Sequence, residues 1–294
     1  MRRPLRMPPL WLVVTAGGVI TSISLGVRST FGLFLDPIAD GLGTGRGSIA
    51  LAIAVQNLIW GVSQPIAGAI SDRYGAARTL AGGGVLYALA LLILSTATGP
   101  GLVLLSGGFM VGVAVGAASF AVVLSSVGRM VRPERRSLML GIVSAVGSLG
   151  QFALIPIAQT ILDRTSWETT VVVMAAVAAA LVVFTPALRG RSADFADPAL
   201  SAGADPRRLG DELRRAAGSR SYLMLNGAFF VCGFHVTFIG VHLPAYVGDI
   251  GQPESAGATA LALIGLFNVF GSLAAGALGA RFSPTLLLAG IYGL

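Results

Sequence analysis

Lysine is absent from this chain of 294 residues, and all 20 of its basic side chains are arginine. Acidic residues number 13 and histidines two. Charged residues make up 11% of the sequence, far below the roughly 25% of a soluble globular domain. The single cysteine, Cys232, lies inside an apolar run, which excludes a disulfide framework and leaves no Cys/His pattern for a metal. No Gly-rich loop followed by lysine is present to cradle a phosphate, and there is neither a nucleophile elbow nor a catalytic carboxylate pair. The GGG at Gly82 to Gly84 falls within an apolar run. These absences argue against an enzyme and against ATP-driven work, and no cofactor or metal is expected.

Apolar sequence is abundant instead. Hydrophobic residues reach 54% and the mean hydropathy is +0.81. A bilayer core of about 30 Å takes roughly 20 apolar residues per helix. Runs of that length occur at 11–35, 48–70, 79–96, 102–126, 137–161, 169–188, 221–247 and 256–280, with part of a ninth from 284. The opening MRRPLRMPPLWLVV has the charged head of a signal peptide. Its apolar run of about 25 residues and the spans that follow make it a retained first helix. The fold class is an all-α integral membrane protein.

A net charge of +7 could suggest nucleic acid, so the placement of the charges decides. With the N-terminus in the cytoplasm, 17 arginines fall on that side and two, Arg46 and Arg164, on the other. This is the positive-inside pattern of a multi-pass protein of the inner (plasma) membrane. The expected partners are therefore the lipid bilayer and a small solute, with no nucleic acid.

A polar stretch, 189–220, separates six spans (1–188) from an incomplete second group (221–294), and its GDELRRAAG part could form a short helix on the membrane surface. The two groups resemble each other. At an offset of 207, Thr30 and Phe31 meet Thr237 and Phe238, and Pro37 meets Pro244. At 208, Gly68, Ala69 and Arg73 meet Gly276, Ala277 and Arg281. The architecture expected is a repeated six-span unit whose second copy stops about 11 residues into its third helix.

After the second span comes GAISDRYGAART, 68–79. Gly68, Asp72, Arg73, Gly75 and Arg78 resemble the loop signature of the major facilitator superfamily, and Ala76 and Ala77 depart from its usual basic pair. Gly68 would permit close helix approach, and the Asp72 carboxylate at a helix junction can pair with arginine. The resemblance implies a twelve-span bundle and a loop that latches the cytoplasmic gate, with Arg129 as the expected partner of Asp72. GRMVRPERRS and LGIVSAVGSLGQFALIPIAQ are similar to the branch that includes bacterial monocarboxylate and oxalate/formate carriers. In the eighth span, where such carriers tend to have arginine, LALIGLFNVFGSL offers Asn268.

Arg28 stands alone within the first span, and no acidic residue lies near the middle of any span. A mid-membrane charge costs from about 2.5 to above 10 kcal/mol and is expected to face the bundle interior. Thr21, Ser24 and Arg28 share a helix face by their spacing. Asp36, roughly 12 Å further along the helix, is too far to pair directly. The guanidinium is left with helix-break carbonyls and water, or with an anionic group of a substrate, and the second is preferred.

The offset of 207 sets His235 opposite Arg28, making it the evident proton-coupling candidate. Asn57, Gln151 and Asn268, together with Ser24 and His235, are candidates to line the same cavity. Gln56 lies at the same depth as Asn57, and Ser144 and Ser148 form a polar stripe with Gln151. Gly108, Gly112 and Gly116 form a small-residue ladder. Gly147, Gly150 and Pro156 are expected to make the fifth span irregular, so that the two groups can rock.

The expected function is secondary transport of a small, anionic solute by alternating access, as a symporter or an exchanger. Two alternatives remain: a truncated, non-transporting product, sensor or scaffold, and an exporter of apolar compounds.

Overall fold

The computed structural model describes residues 9–189, 214–215 and 217–293. Among them there is no strand, and eight helices are long and apolar enough to cross a membrane: Leu10–Gly41, Arg46–Tyr74, Ala76–Leu94, Pro100–Met130, Pro133–Leu162, Trp167–Leu188, Arg220–Asp249 and Ser255–Leu278. These are the first to eighth spans below. A ninth helix, Pro284–Gly293, follows. The chain is an all-α, multi-pass membrane protein. Most of the surface helix expected over GDELRRAAG lies outside the described residues, as do Arg2, Arg3 and Arg6.

Two spans are less regular than their hydropathy suggests. The first does not stop at residue 35. It tightens into a 3-10 turn over Thr30–Phe34 and resumes as α-helix over Leu35–Gly41, carrying Asp36 and Pro37 with it. The fourth contains a π-helical stretch, Leu104–Met110, and breaks at Ala118, after which the Ser119 side chain accepts a hydrogen bond from Val122 N at 3.2 Å and caps the next segment. The fifth, by contrast, runs as one helix through Pro156.

Small residues decide which helices meet, because in lipid close backbone approach replaces the hydrophobic drive available in water. The Gly108, Gly112, Gly116 ladder lies against the second span: a Cβ added at these positions would press on Ala52 O, Gln56 O and the Ser63 side chain in turn. The fifth span is wedged between the first and the eighth. Gly147 receives Thr21, and Gly141 meets Gly276 so closely that a Cβ on Gly141 would stand 2.7 Å from Gly276 Cα. Ser137 Oγ adds a hydrogen bond to Gly276 O at 3.0 Å.

Gly68 contrasts with these. Nothing lies within 4 Å of a Cβ built there, so among the described residues the close approach expected of it is not made.

The core is formed mainly by the first six spans, around Phe34, Tyr87, Leu91 and Met174 at one level and Ile20, Leu80, Val123 and Leu181 at the other, with Ala258 and Leu261 of the eighth span joining the first level. The seventh span is packed differently, with Ala245 its one buried residue. It touches the first span near its end, where Gly32 faces the Gly240 carbonyl with no room for a side chain, and it meets the eighth where Gly257 lies on Pro244.

Candidate functional site

A cavity of about 190 Å³ lies at mid-depth between the first, second, fifth, seventh and eighth spans. Its polar wall comprises Arg28 and Ser29 of the first span, Gln56 and Asn57 of the second, Gln151 of the fifth and Thr237 of the seventh. None of the described residues lining it is acidic.

The helix period explains how Arg28 reaches this space. Leu25, Arg28, Ser29 and Gly32, spaced 3, 4 and 7 residues from the first, form the stripe that faces the cavity. The stripe expected from sequence, Thr21, Ser24 and Arg28, is rotated away from it. Thr21 Oγ1 donates to Gly17 O at 2.7 Å while its methyl packs toward Gly147, and Ser24 is buried without lining the cavity. Arg28 stands where the two stripes meet.

Neutral groups hold the guanidinium. Arg28 Nη2 donates to Asn57 Oδ1 at 2.5 Å, and Asn57 Nδ2 donates to Ile53 O at 2.8 Å, so the amide is fixed with its oxygen toward the arginine. The guanidinium carbon lies 4.2 Å from the centroid of the Trp60 ring. The wholly buried Tyr87 of the third span is an electrostatic neighbour, and its hydroxyl has no hydrogen-bond partner among the described residues.

A hydrogen bond to a charged group contributes about 1.5–3 kcal/mol and a cation–π contact about 0.5–2 kcal/mol. Neither supplies the opposite charge that a mid-membrane cation calls for. Asp36 does not supply it either, being 2.5 Å from Arg46 Nε instead. Among the described residues of its lining, the cavity thus holds one cationic side chain and no acidic one.

The remaining candidates lie elsewhere. His235 is exposed on the seventh span, with its ring edge toward Phe234 at 6.2 Å, and Asn268 is exposed on the eighth; neither lines the Arg28 cavity. His242 borders a second space of about 660 Å³ between the second and seventh spans, walled by Trp60, Phe229, Phe230, Phe234 and Phe238. Trp60 and Thr237 were not singled out from sequence. The available signal for Trp60 was its position three residues beyond Asn57 on the same helix face.

At one end of the bundle Arg129 Nη1 donates to Asp72 Oδ1 at 3.1 Å, joining the fourth span to the last turn of the second, where the loop to the third begins. Gly75 makes that loop possible: its φ of +98° lets the second span end and the third begin within one residue. Arg73 lies 5.4 Å from the Tyr74 ring, and Arg78 is exposed.

The sequence profile of the Major Facilitator Superfamily matches residues 17–294. The chain belongs to that superfamily. The all-α arrangement, with eight candidate spans among the described residues, agrees with the facilitator-type bundle that the loop signature implied.

Similar proteins include Monocarboxylate transporter 13 of Bos taurus, 25% identical over 92% of this chain and 61% of that protein. The uncharacterized MFS-type transporter YhjX of Escherichia coli strain K12 is 27% identical over 59% of this chain and 42% of its own length. MFS-type transporter pynF of Aspergillus niger is 28% identical over 55% and 37%. The chain thus spans about three-fifths of the length of the first of these relatives.

Proposed function

We propose that this facilitator chain acts in secondary transport of a small organic anion, bound at mid-membrane by Arg28. The observation that carries the reading is an arginine lining an interhelical cavity, bonded to the Asn57 amide and lying over the face of Trp60, with no carboxylate among the described residues of that lining. An anionic solute supplies the missing charge and can take two parallel hydrogen bonds from the guanidinium. The monocarboxylate transporters among its relatives support the same class of solute.

Movement follows from alternating access between 1–188 and 221–294, joined by the 189–220 linker and driven by a proton or counter-solute gradient. The arginine distribution supports a cytoplasmic N-terminus, Asp72 loop and linker, with the chain in the inner (plasma) membrane. The Asp72–Arg129 pair latches the cytoplasmic side.

The test is uptake of labelled lactate, acetate and benzoate into vesicles carrying the wild-type chain, Arg28→Gln or Arg28→Lys. Loss of affinity in Arg28→Gln, with partial retention in Arg28→Lys, is expected. Unchanged affinity in both removes the arginine as a ligand.

A second reading, export of apolar compounds, draws on the aromatic-walled space between the second and seventh spans. It predicts drug efflux that survives Arg28→Gln.

A further inference from the structure

Trp60 is in contact with Arg28, and no role has been assigned to it so far. Its indole nitrogen is buried and has no hydrogen-bond partner among the described residues, an uncommon state for a tryptophan in a protein interior. The ring is therefore not held in place through its N–H. What it offers is its face, and the Arg28 guanidinium lies over that face at 4.2 Å.

A guanidinium has five N–H donors. Asn57 takes one of them. A carboxylate in place of the indole would take two more and cancel the charge. An aromatic face attracts the cation without consuming a donor, because the attraction is to the ring quadrupole. We propose that Trp60 is the positioning residue of the Arg28 site: it holds the guanidinium against the second span and offsets part of the cost of the buried charge, while the remaining donors stay free for an anion. This rests on the reading of Arg28 as the anion ligand.

The test uses the whole 294-residue chain in lipid nanodiscs, labelled with 5-fluorotryptophan, which gives one fluorine resonance for each of its three tryptophans. Trp60→Phe assigns the Trp60 signal. In anion-free samples Arg28→Gln is expected to shift the Trp60 resonance and leave those of Trp11 and Trp167 in place. Saturating lactate, acetate or benzoate is expected to move the same signal in the wild type.

Calorimetry on the same samples then separates the two levels of the inference. Trp60→Phe is expected to bind within about threefold of wild type and Trp60→Leu about tenfold more weakly. A Trp60 resonance indifferent to Arg28→Gln overturns the positioning role. So does wild-type affinity in Trp60→Leu while Arg28→Gln fails to bind, an outcome that leaves the anion site standing. Full binding by Arg28→Gln overturns the anion site itself.

Discussion

Arg46 and Asp249 lie far apart in the chain and meet at one end of the bundle: Arg46 Nη1 donates to both carboxylate oxygens of Asp249, at 3.0 and 2.8 Å. Arg46 also pairs with Asp36, so one guanidinium ties the starts and ends of the first, second and seventh spans together. Below this clamp Gly32 and Gly240 are in backbone contact, and beyond them the seventh span diverges from the first, with its aromatic side chains exposed. On the Arg46 side the first, second and seventh spans are thus drawn together.

Asp249→Asn should loosen that closure. With Cys232→Ser removing the native thiol, a cysteine at Gly240, where a Cβ meets nothing within 4 Å, reports access to the cavity. Its labelling by a membrane-impermeant thiol reagent from the Arg46 side is expected to rise about threefold in Asp249→Asn, and Asp249→Glu should restore the slow rate. Solvent-exposed pairs contribute little to folding, so the melting temperature should hardly move.

The Asp72–Arg129 pair should behave as a coupled unit. Asp72→Asn and Arg129→Gln are each expected to lower the maximal uptake rate more than the affinity, and the double variant should be no worse than the poorer single. The coupling energy expected is about 0.2–1 kcal/mol, because Asp72 is 57% exposed. Strict additivity in the double-mutant cycle would show that the two side chains do not act together.

Gly141 and Gly68 give opposite stability tests. Gly141→Val forces a side chain into Gly276 and should cost about 1–3 kcal/mol, lowering the melting temperature by several degrees. Gly68→Ala fills open space in a helix and should leave the melting temperature unchanged or slightly raised. Melting in detergent, followed by circular dichroism, reads both.

Anion binding should be nearly independent of pH between 6 and 8. Among the described residues Arg28 is the one ionisable side chain in the cavity lining, and arginine stays charged throughout that range, as does a simple carboxylate. The lactate affinity is expected to change less than about twofold, and His235→Ala should leave it in place, since that side chain does not line the cavity. A pH dependence of binding that disappears in His235→Ala would tie the histidine to binding.

Much of this molecule could be read before its fold was known, for a physical reason. A bilayer demands long apolar helices and penalises every charge placed within them, so the spans and Arg28 stand out in composition alone. The Asp72 loop was legible because Gly68, Asp72, Arg73, Gly75 and Arg78 resemble the superfamily's loop signature; that Gly75 is the positive-φ junction between the spans came from the structure.

Rotation about a helix axis was not legible. The repeat offset sets His235 opposite Arg28 in depth, but the cavity receives Thr237, two residues on and roughly 200° around the helix. Ser24 shares a stripe with Arg28, and the stripe that matters runs through Leu25 and Gly32. Trp60 escaped notice because an aromatic residue in an apolar helix looks the same whether it faces lipid, packs in the core or holds a cation.

The most direct measurement is thermal stabilisation of the purified chain by lactate and by its uncharged amide, for the wild type and for Arg28→Gln. A ligand at 100 times its dissociation constant stabilises the state that binds it by about 2.7 kcal/mol, a shift of several degrees. The account predicts that lactate raises the melting temperature of the wild type, that the amide does not, and that Arg28→Gln responds to neither. An equal rise for lactate in wild type and Arg28→Gln would contradict it.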